Sequence, residues 1–372
     1  MTGVPAALSH RSAHRRALVV SVLALAATAA AQDAARSPLA PLVIERQGSF
    51  LVGGRILTNP GTFDPRMPTP AGQTIHADHA YVQYQIPANA RQLPLVMWHG
   101  GGQSSKTWET TPDGRDGFQT IFLRRGFAIY LVDQPRRGRA GRTSEAALRV
   151  PDPGLFGEES LFTRFRIGVW PDYFPGVQFS RDPAALDQWW RQQTPDTGPG
   201  DDVLLSEAVA ALFEKIGSGV LLTHSASGLP GWLTAIKSGH VKAVVAYEPV
   251  GWVFPEGEVP PPVPTAGGPI VGSPVPKTDF DRLTTMAIQL VYGDNIPESP
   301  SPYQGLDMWR GRLTMAREFV RVINVHGGRA ELLHLPASGV RGNTHFPFAD
   351  LNNLVIADRL SDYLQHNRLD KR

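Results

Sequence analysis

The chain has 372 residues, of which 42% are hydrophobic, 19% charged and 9% aromatic, and it contains no cysteine. That composition excludes extended disorder, collagen-like fibre and coiled coil, and the absent thiols exclude a disulfide framework, thiolate metal sites, iron–sulfur clusters, a cysteine nucleophile and lipid attachment through cysteine. The formal charge of +2 falls to −1 once Arg11, Arg15 and Arg16 are set aside with the N-terminal stretch that carries them, so no electrostatic feature points to nucleic acid or an anionic membrane as partner.

That N-terminal stretch reads as an export signal. Basic residues up to Arg16 precede an apolar run over 17–27 and the small residues Ala29, Ala30 and Ala31, the order of a cleavable secretory signal. The run is shorter than the ~18–20 residues that a membrane span needs, so no stable anchor is expected. Cleavage after Ala31 would leave 341 residues, a domain over 32–372 secreted or held in the periplasm, by either the Sec or the twin-arginine route.

Two β-rich runs over 42–57 flank Gln47-Gly48 and predict a hairpin. Residues 81–86 alternate at period two, as a half-buried strand does. Apolar runs at 93–98, 128–132, 220–222, 241–247, 287–292 and 330–335 read as strands. Helical patterns at 118–125, 203–216, 229–237, 306–325 and 350–366 fall between them or after the last, several closed by glycine. Continuously apolar strands alternating with helices predict an α/β fold, a mostly parallel central sheet with helices on both faces. Two segments break the alternation. Residues 155–190 hold nine aromatics, among them Phe156, Trp189 and Trp190, and read as a cap-like insertion (about 144–200) packing over a pocket, with those two tryptophans as pocket candidates. Residues 255–276 hold eight prolines and predict an exposed, stiff loop within about 253–278.

The chemistry concentrates at strand ends. Ser225, in Thr223-His224-Ser225-Ala226-Ser227-Gly228, lies between a buried strand and a helix, where a tight turn would hold its hydroxyl out. Thr223 and Ser227 stand where the Gly-x-Ser-x-Gly pattern has glycines. His99-Gly100-Gly101-Gly102 follows an early strand, so that backbone N–H groups there and at Ala226 could meet a developing oxyanion. Glu248 and Asp294 each follow a later strand, and His345 follows the last, in the chain order serine, acid, histidine. Strand position favours Asp294 as the acid. The reach of glutamate from an earlier strand, with Pro249 keeping Glu248 extended, favours Glu248. His334 within a strand and His326 at a helix end read as structural, and Arg136, Arg137, Arg139 and Arg142 as a solvated turn with ion pairs. No His-Glu-x-x-His or comparable metal cluster occurs, and no cofactor is expected.

Several stretches resemble those of a known family. These are 107–115 (Thr-Trp-Glu-Thr-Thr-Pro-Asp-Gly-Arg), Asp133-Gln134 with Arg137-Gly138-Arg139, His224-Ser225, Ser227-Gly228, Glu248-Pro249, Gly293-Asp294, Gly342-Asn343 with His345, and Asn352-Asn353-Leu354. The chain resembles the α/β-hydrolases of the secreted bacterial esterase 713 family, the Alcaligenes-type esterases, over roughly 42–366. The resemblance implies an α/β-hydrolase fold and a serine esterase with a triad of Ser225, His345 and Glu248, and an oxyanion hole of Gly101 and Ala226. Gly101 and Gly102 stand where the family's prototype has adjacent cysteines, which implies a more flexible loop. The expected partner is a small-molecule ester, hydrolysed through an acyl-enzyme, and a homodimer is left open. An acyltransferase or serine peptidase on the same triad, or a non-catalytic ligand-binding homologue, are the alternatives.

Overall fold

The computed structural model describes residues 40–144 and 157–372. The export signal, Phe156 and part of the 144–200 insertion lie outside the described residues. From Ile44 onward the elements run in chain order as β1 (Ile44–Val52), β2 (Arg55–Thr58), β3 (Thr74–Ala77), β4 (Ala80–Pro87), β5 (Leu95–Trp98), α1 (Phe118–Arg124) and β6 (Ile129–Asp133). The inserted segment supplies α2 (Glu158–Arg164), β7 (Gly168–Val169), β8 (Asp172–Tyr173) and α3 (Pro183–Arg191). Then come α4 (Asp202–Ile216), β9 (Gly219–His224), α5 (Gly228–Lys237), β10 (Val241–Tyr247), β11 (Val253–Pro255), β12 (Ser273–Val275), α6 (Lys277–Leu283), β13 (Ala287–Tyr292), α7 (Gln304–Val325), β14 (Arg329–His334) and α8 (Asn353–His366).

Eight strands form the main sheet in the order β1-β4-β6-β5-β9-β10-β13-β14. The first two pairings are antiparallel and the rest parallel. Every residue of β5, β9 and β13 is buried, and in β10 only Lys242 is exposed. Strands covered on both faces have no use for polar residues, which is why they read as unbroken apolar runs. Register fixes where the chemistry must lie. His224 pairs with Tyr247 and Tyr247 with Val291, so Ser225, Glu248 and the Gly293-Asp294 turn leave the same edge of the sheet side by side.

The expected hairpin over 42–57 does not form. β1 runs straight through Gln47-Gly48 and pairs with β4, while β2 pairs with β3 in a separate two-stranded sheet. Gly48 is opposite Tyr84, and a Cβ there would lie 3.0 Å from the tyrosine hydroxyl and 3.1 Å from its ring. The glycine makes room for a ring and marks no turn. The proline-rich loop is mostly exposed, as expected, but it is closed at its neck by parallel pairing of β11 with β12 and braced by a Val263–Ile270 bridge. The arginine turn also differs from expectation. Arg136 and Arg137 are buried, paired with Asp78 and Asp196, while Arg139, which pairs with Asp133, and Arg142 are exposed. Arg136 grips Asp78 through two bonds of 2.8 and 3.2 Å, a fork that a planar guanidinium makes without solvent.

Candidate active site

The turn after β9 carries Ser225 at φ +54°, a left-handed conformation that an L-residue holds only under constraint. The constraint comes from Ser227, one of the two residues that stand where the motif has glycine. Ser227 Oγ accepts from His224 N at 2.9 Å and donates toward His224 O at 3.0 Å and Trp98 O at 3.2 Å. The need for small residues has moved along the helix. A Cβ on Gly231 would come within 2.6 Å of Thr223 Cγ2, and one on Gly228 within 2.6 Å of Pro249 Cβ. The glycine loop reaches this turn closely: a Cβ on Gly100 would lie 2.7 Å from His224 Nδ1 and 2.9 Å from Ser225 Cβ. Gly101 and Ala226 are exposed neighbours and share the lining of a cleft of about 180 Å³ with Gln134, Leu204 and Leu205. The loop is tethered without any disulfide. Thr194 N donates to Gly102 O at 2.9 Å, and Thr194 Oγ1 to Gln103 O at 3.0 Å.

His345 and Glu248 meet directly. His345 Nδ1 donates to Glu248 Oε2 at 2.6 Å, and both side chains are buried. A carboxylate on Nδ1 fixes that nitrogen as the N–H and leaves Nε2 with its lone pair. Glu248 Oε1 accepts from Gly293 N at 2.6 Å and from Arg166 Nη2. His224, next to Ser225, donates from Nε2 to the His345 carbonyl at 2.9 Å, and the two rings lie 4.5 Å apart. The structure therefore brings His345 and Glu248 into contact and sets Ser225 one residue from the ring that His345 packs on. A Ser225–His345 hydrogen bond is not among those formed; such bonds often tighten only when substrate binds.

Asp294 lies elsewhere. Its Oδ1 accepts from Asn295 N at 2.7 Å and its Oδ2 from Gly342 N at 2.8 Å, so it anchors its own turn and the loop leading to His345. Glu248 departs from expectation in one respect: it sits at φ +46°, in the left-handed region. The following proline disfavours the right-handed helical region. The bonds to His345, Gly293 and Arg166 hold the side chain, and Glu248 N still donates to Val291 O at 2.8 Å.

The loop carrying His345 is locked from both sides. Asp350 accepts from Thr344 N and Thr344 Oγ1 at 2.7 Å each and from Asn343 Nδ2 at 3.0 Å. Arg115, at the end of the 107–115 stretch, bonds the carbonyls of Ala349, Asp350 and Leu351 and the Asn353 amide oxygen. Trp189 is buried against Phe165, Phe179 and Phe346 at 4.4–6.5 Å between ring centroids, one ring removed from His345. Trp190 is half-buried. His326 caps α7 and bonds Glu258 at 2.9 Å. Among the described residues no group of three or more His, Asp or Glu side chains is arranged to hold a metal ion, and no helix is long and apolar enough to cross a membrane.

No family model matches the chain. A bacterial esterase solved at atomic resolution is 33% identical and superposes with a TM-score of 0.71, covering 89% of this chain and 99% of that one. The chain belongs to the α/β-hydrolase esterases. A probable secreted lipase of a fungal species, PhiG, is 29% identical over 314 residues, 77% of this chain and 85% of that protein. This esterase is a carboxylic ester hydrolase, and its eight-stranded, mostly parallel sheet is that of the fold.

Sequence reasoning missed the residues that surround His345 in the esterase. Its ring lies 5.4 Å from Phe165, nearly parallel, and 4.4 Å from Trp309. Phe165 O accepts from His345 N at 3.0 Å, and Arg164 O from Trp309 Nε1 at 2.6 Å. Arg166, 0% exposed, pairs with Glu248. The available signal was the run Arg164-Phe165-Arg166, two cations within an otherwise apolar segment.

Burial holds His345 well below the ordinary histidine value, with Arg166, Arg312 and Arg164 adding to the effect. Burial and then the neighbouring His345 do the same to His224, and burial pushes His99 down to about 4. All three are neutral when folded and can take a proton once unfolded, so stability falls with pH below about 6.5. Asp350 opposes them: burial raises it to about 7, and the folded chain keeps a proton there that the unfolded chain releases above about pH 4. The histidines outnumber the one carboxyl, so the net effect is a loss of stability as pH falls below about 6.5. Urea unfolding at pH 7, 6 and 5 measures this, and an unmoved midpoint would contradict neutral burial of the histidines.

Proposed function

We propose that the esterase acts through an acyl-enzyme on Ser225, with His345 as base and Glu248 as the acid that orients it. Ser225 Oγ attacks the ester carbonyl carbon while its proton passes to His345 Nε2. The oxyanion that forms is met by the backbone N–H groups of Gly101 and Ala226. Collapse of the tetrahedral species breaks the bond to the alcohol oxygen, which takes the proton back from His345. Water then repeats the sequence, releasing the acid and restoring Ser225. Glu248 orients the imidazole and stabilises the imidazolium. The observation that carries this reading is the 2.6 Å bond from His345 Nδ1 to Glu248 on a loop packed against the serine turn.

The substrate is a small-molecule ester, and neither cofactor nor metal is required. The 144–200 insertion acts as a cap whose buried aromatics, Trp189 among them, back the histidine. The N-terminal segment 1–31 serves as the export signal of a secreted or periplasmic protein, a reading supported by the similarity to PhiG, a probable secreted lipase. Incubation with a fluorophosphonate, followed by peptide mass analysis, should place one covalent adduct on Ser225. Under p-nitrophenyl ester turnover a burst of one nitrophenolate per active site is expected if deacylation is slower than acylation. Adduct formation at another serine would displace Ser225 from the mechanism.

A further inference from the structure

Glu248 has two carboxylate oxygens, and only one of them meets His345. The other is held by Gly293 N and by Arg166, a residue that enters from the inserted segment just after α2. Arg166 is completely buried and held at φ +61°. Its Nε donates to the Asp294 carbonyl at 2.7 Å, and its guanidinium lies 4.8 Å over the Trp309 ring, which itself packs on His345. Its remaining nitrogen, Nη1, has no hydrogen-bond partner among the described residues. Placing a guanidinium in the interior at a left-handed position with one nitrogen unsatisfied is costly. A core built only for stability would be served as well by an apolar side chain.

The bonds made by Arg166 form a bracket. One arm reaches Glu248, the other the carbonyl of Asp294. Asp294 in turn donates N to Asn343 O at 2.8 Å and accepts from Gly342 N at 2.8 Å, and Asn343 lies two residues before His345. We propose that Arg166 is a positioning residue of the esterase, fixing the Glu248 carboxylate relative to the His345 loop so that Oε2 alone faces the imidazole. This rests on the assignment of Ser225, His345 and Glu248 as the triad. The inserted segment thereby becomes part of the catalytic framework: Arg164, Phe165 and Arg166 each bond a different part of the site.

Two consequences follow, one geometric and one electrostatic. Without the fork, Glu248 can rotate and His345 with it, and a displacement of about 1 Å at the reacting atoms costs about 10²-fold in rate. Without the positive charge, protonated His345 is disfavoured less, so the acid limb of kcat/KM moves to higher pH. The charged and titratable groups facing the Glu248–His345 pair are Arg164 and Arg166 from the insertion, Arg312 from α7, His224 at the end of β9, Tyr292 from β13, His334 from β14, and Asp294 and Asp350 from the loops. Arg164 and Arg312 remain in an Arg166 variant, so the limb is expected to shift by about one pH unit and not further.

The test uses Arg166→Gln and Arg166→Lys in the full enzyme, with active sites counted by fluorophosphonate labelling so that misfolded protein drops out of kcat. Arg166→Gln should lose about 10²-fold in kcat per labelled site, with its acid limb raised by about one unit. Arg166→Lys keeps the charge, so its limb should stay at the wild-type position while kcat recovers to within about tenfold of wild type. Wild-type kcat per site and an unmoved limb in Arg166→Gln would reduce Arg166 to a structural residue. If Arg166→Gln gives no folded protein, a limb displaced in Arg166→Lys overturns the proposal by itself. Labelling that bypasses Ser225 in the wild-type enzyme marks failure of the triad itself, and the role of Arg166 falls with it.

Discussion

Replacing Ser225 with alanine is expected to lower kcat for ester hydrolysis by at least ~10³-fold and to leave the fold intact. The two halves of that expectation come from different parts of the structure. The rate falls because the other hydroxyl of the turn cannot take its place. Ser227, two residues on, is buried, and its hydroxyl is committed to His224 and Trp98. The fold survives because Ser225 is only half-buried and its hydroxyl takes part in none of the hydrogen bonds that hold the turn. Alanine at φ +54° bears the same backbone strain as serine, so stability should change by no more than about 0.5 kcal/mol. Turnover of p-nitrophenyl acetate and urea unfolding, measured on the same preparation, separate the two effects. Turnover close to wild type in pure Ser225→Ala would remove the serine from the mechanism.

Two of the buried sheet strands were legible to the residue, whereas β5 and β9, read as 93–98 and 220–222, run over Leu95–Trp98 and Gly219–His224. β10 and β13 begin and end where their apolar runs do, because a strand covered on both faces admits little else. β1 was not legible. Gly48 looks like a turn residue until Tyr84, 36 positions away, is known to need its space. The serine turn was legible from its setting between strand and helix, although Thr223 and Ser227 weakened the motif; the compensating glycines at 228 and 231 act through packing that spacing alone does not reveal. Arg136 and Arg137 were misread for a related reason. A cluster of arginines in a turn suggests solvent, and only the positions of Asp78 and Asp196 show that two of the four are buried. The role of Arg166 was not legible because its partner is 82 positions away; the run Arg164-Phe165-Arg166 marks two cations in an apolar segment without showing what they pair with.

The choice between Glu248 and Asp294 turns on which carboxylate His345 loses. Glu248→Gln is expected to lower kcat by several powers of ten, up to ~10⁴, because the amide can present an N–H where His345 Nδ1 also carries one, inverting the tautomer the base requires. Glu248 is fully buried and accepts from Arg166, Gly293 and His345 at once, so the same change also leaves Arg166 facing a neutral group. The loss therefore combines a wrong tautomer with a disturbed bracket, and an unfolding curve must accompany the kinetics. Asp294→Asn is a milder change. Its two bonds are both accepted from backbone N–H groups, at Asn295 and Gly342, and the amide oxygen can keep one of them. Its carbonyl, which receives Arg166 Nε, is untouched. A fall within about tenfold is expected, arising from a looser 342–345 loop. The two variants measured under identical conditions decide the assignment. A collapse in Asp294→Asn beside a nearly unaffected Glu248→Gln would transfer the acid's role to Asp294 while leaving Ser225 and His345 in place.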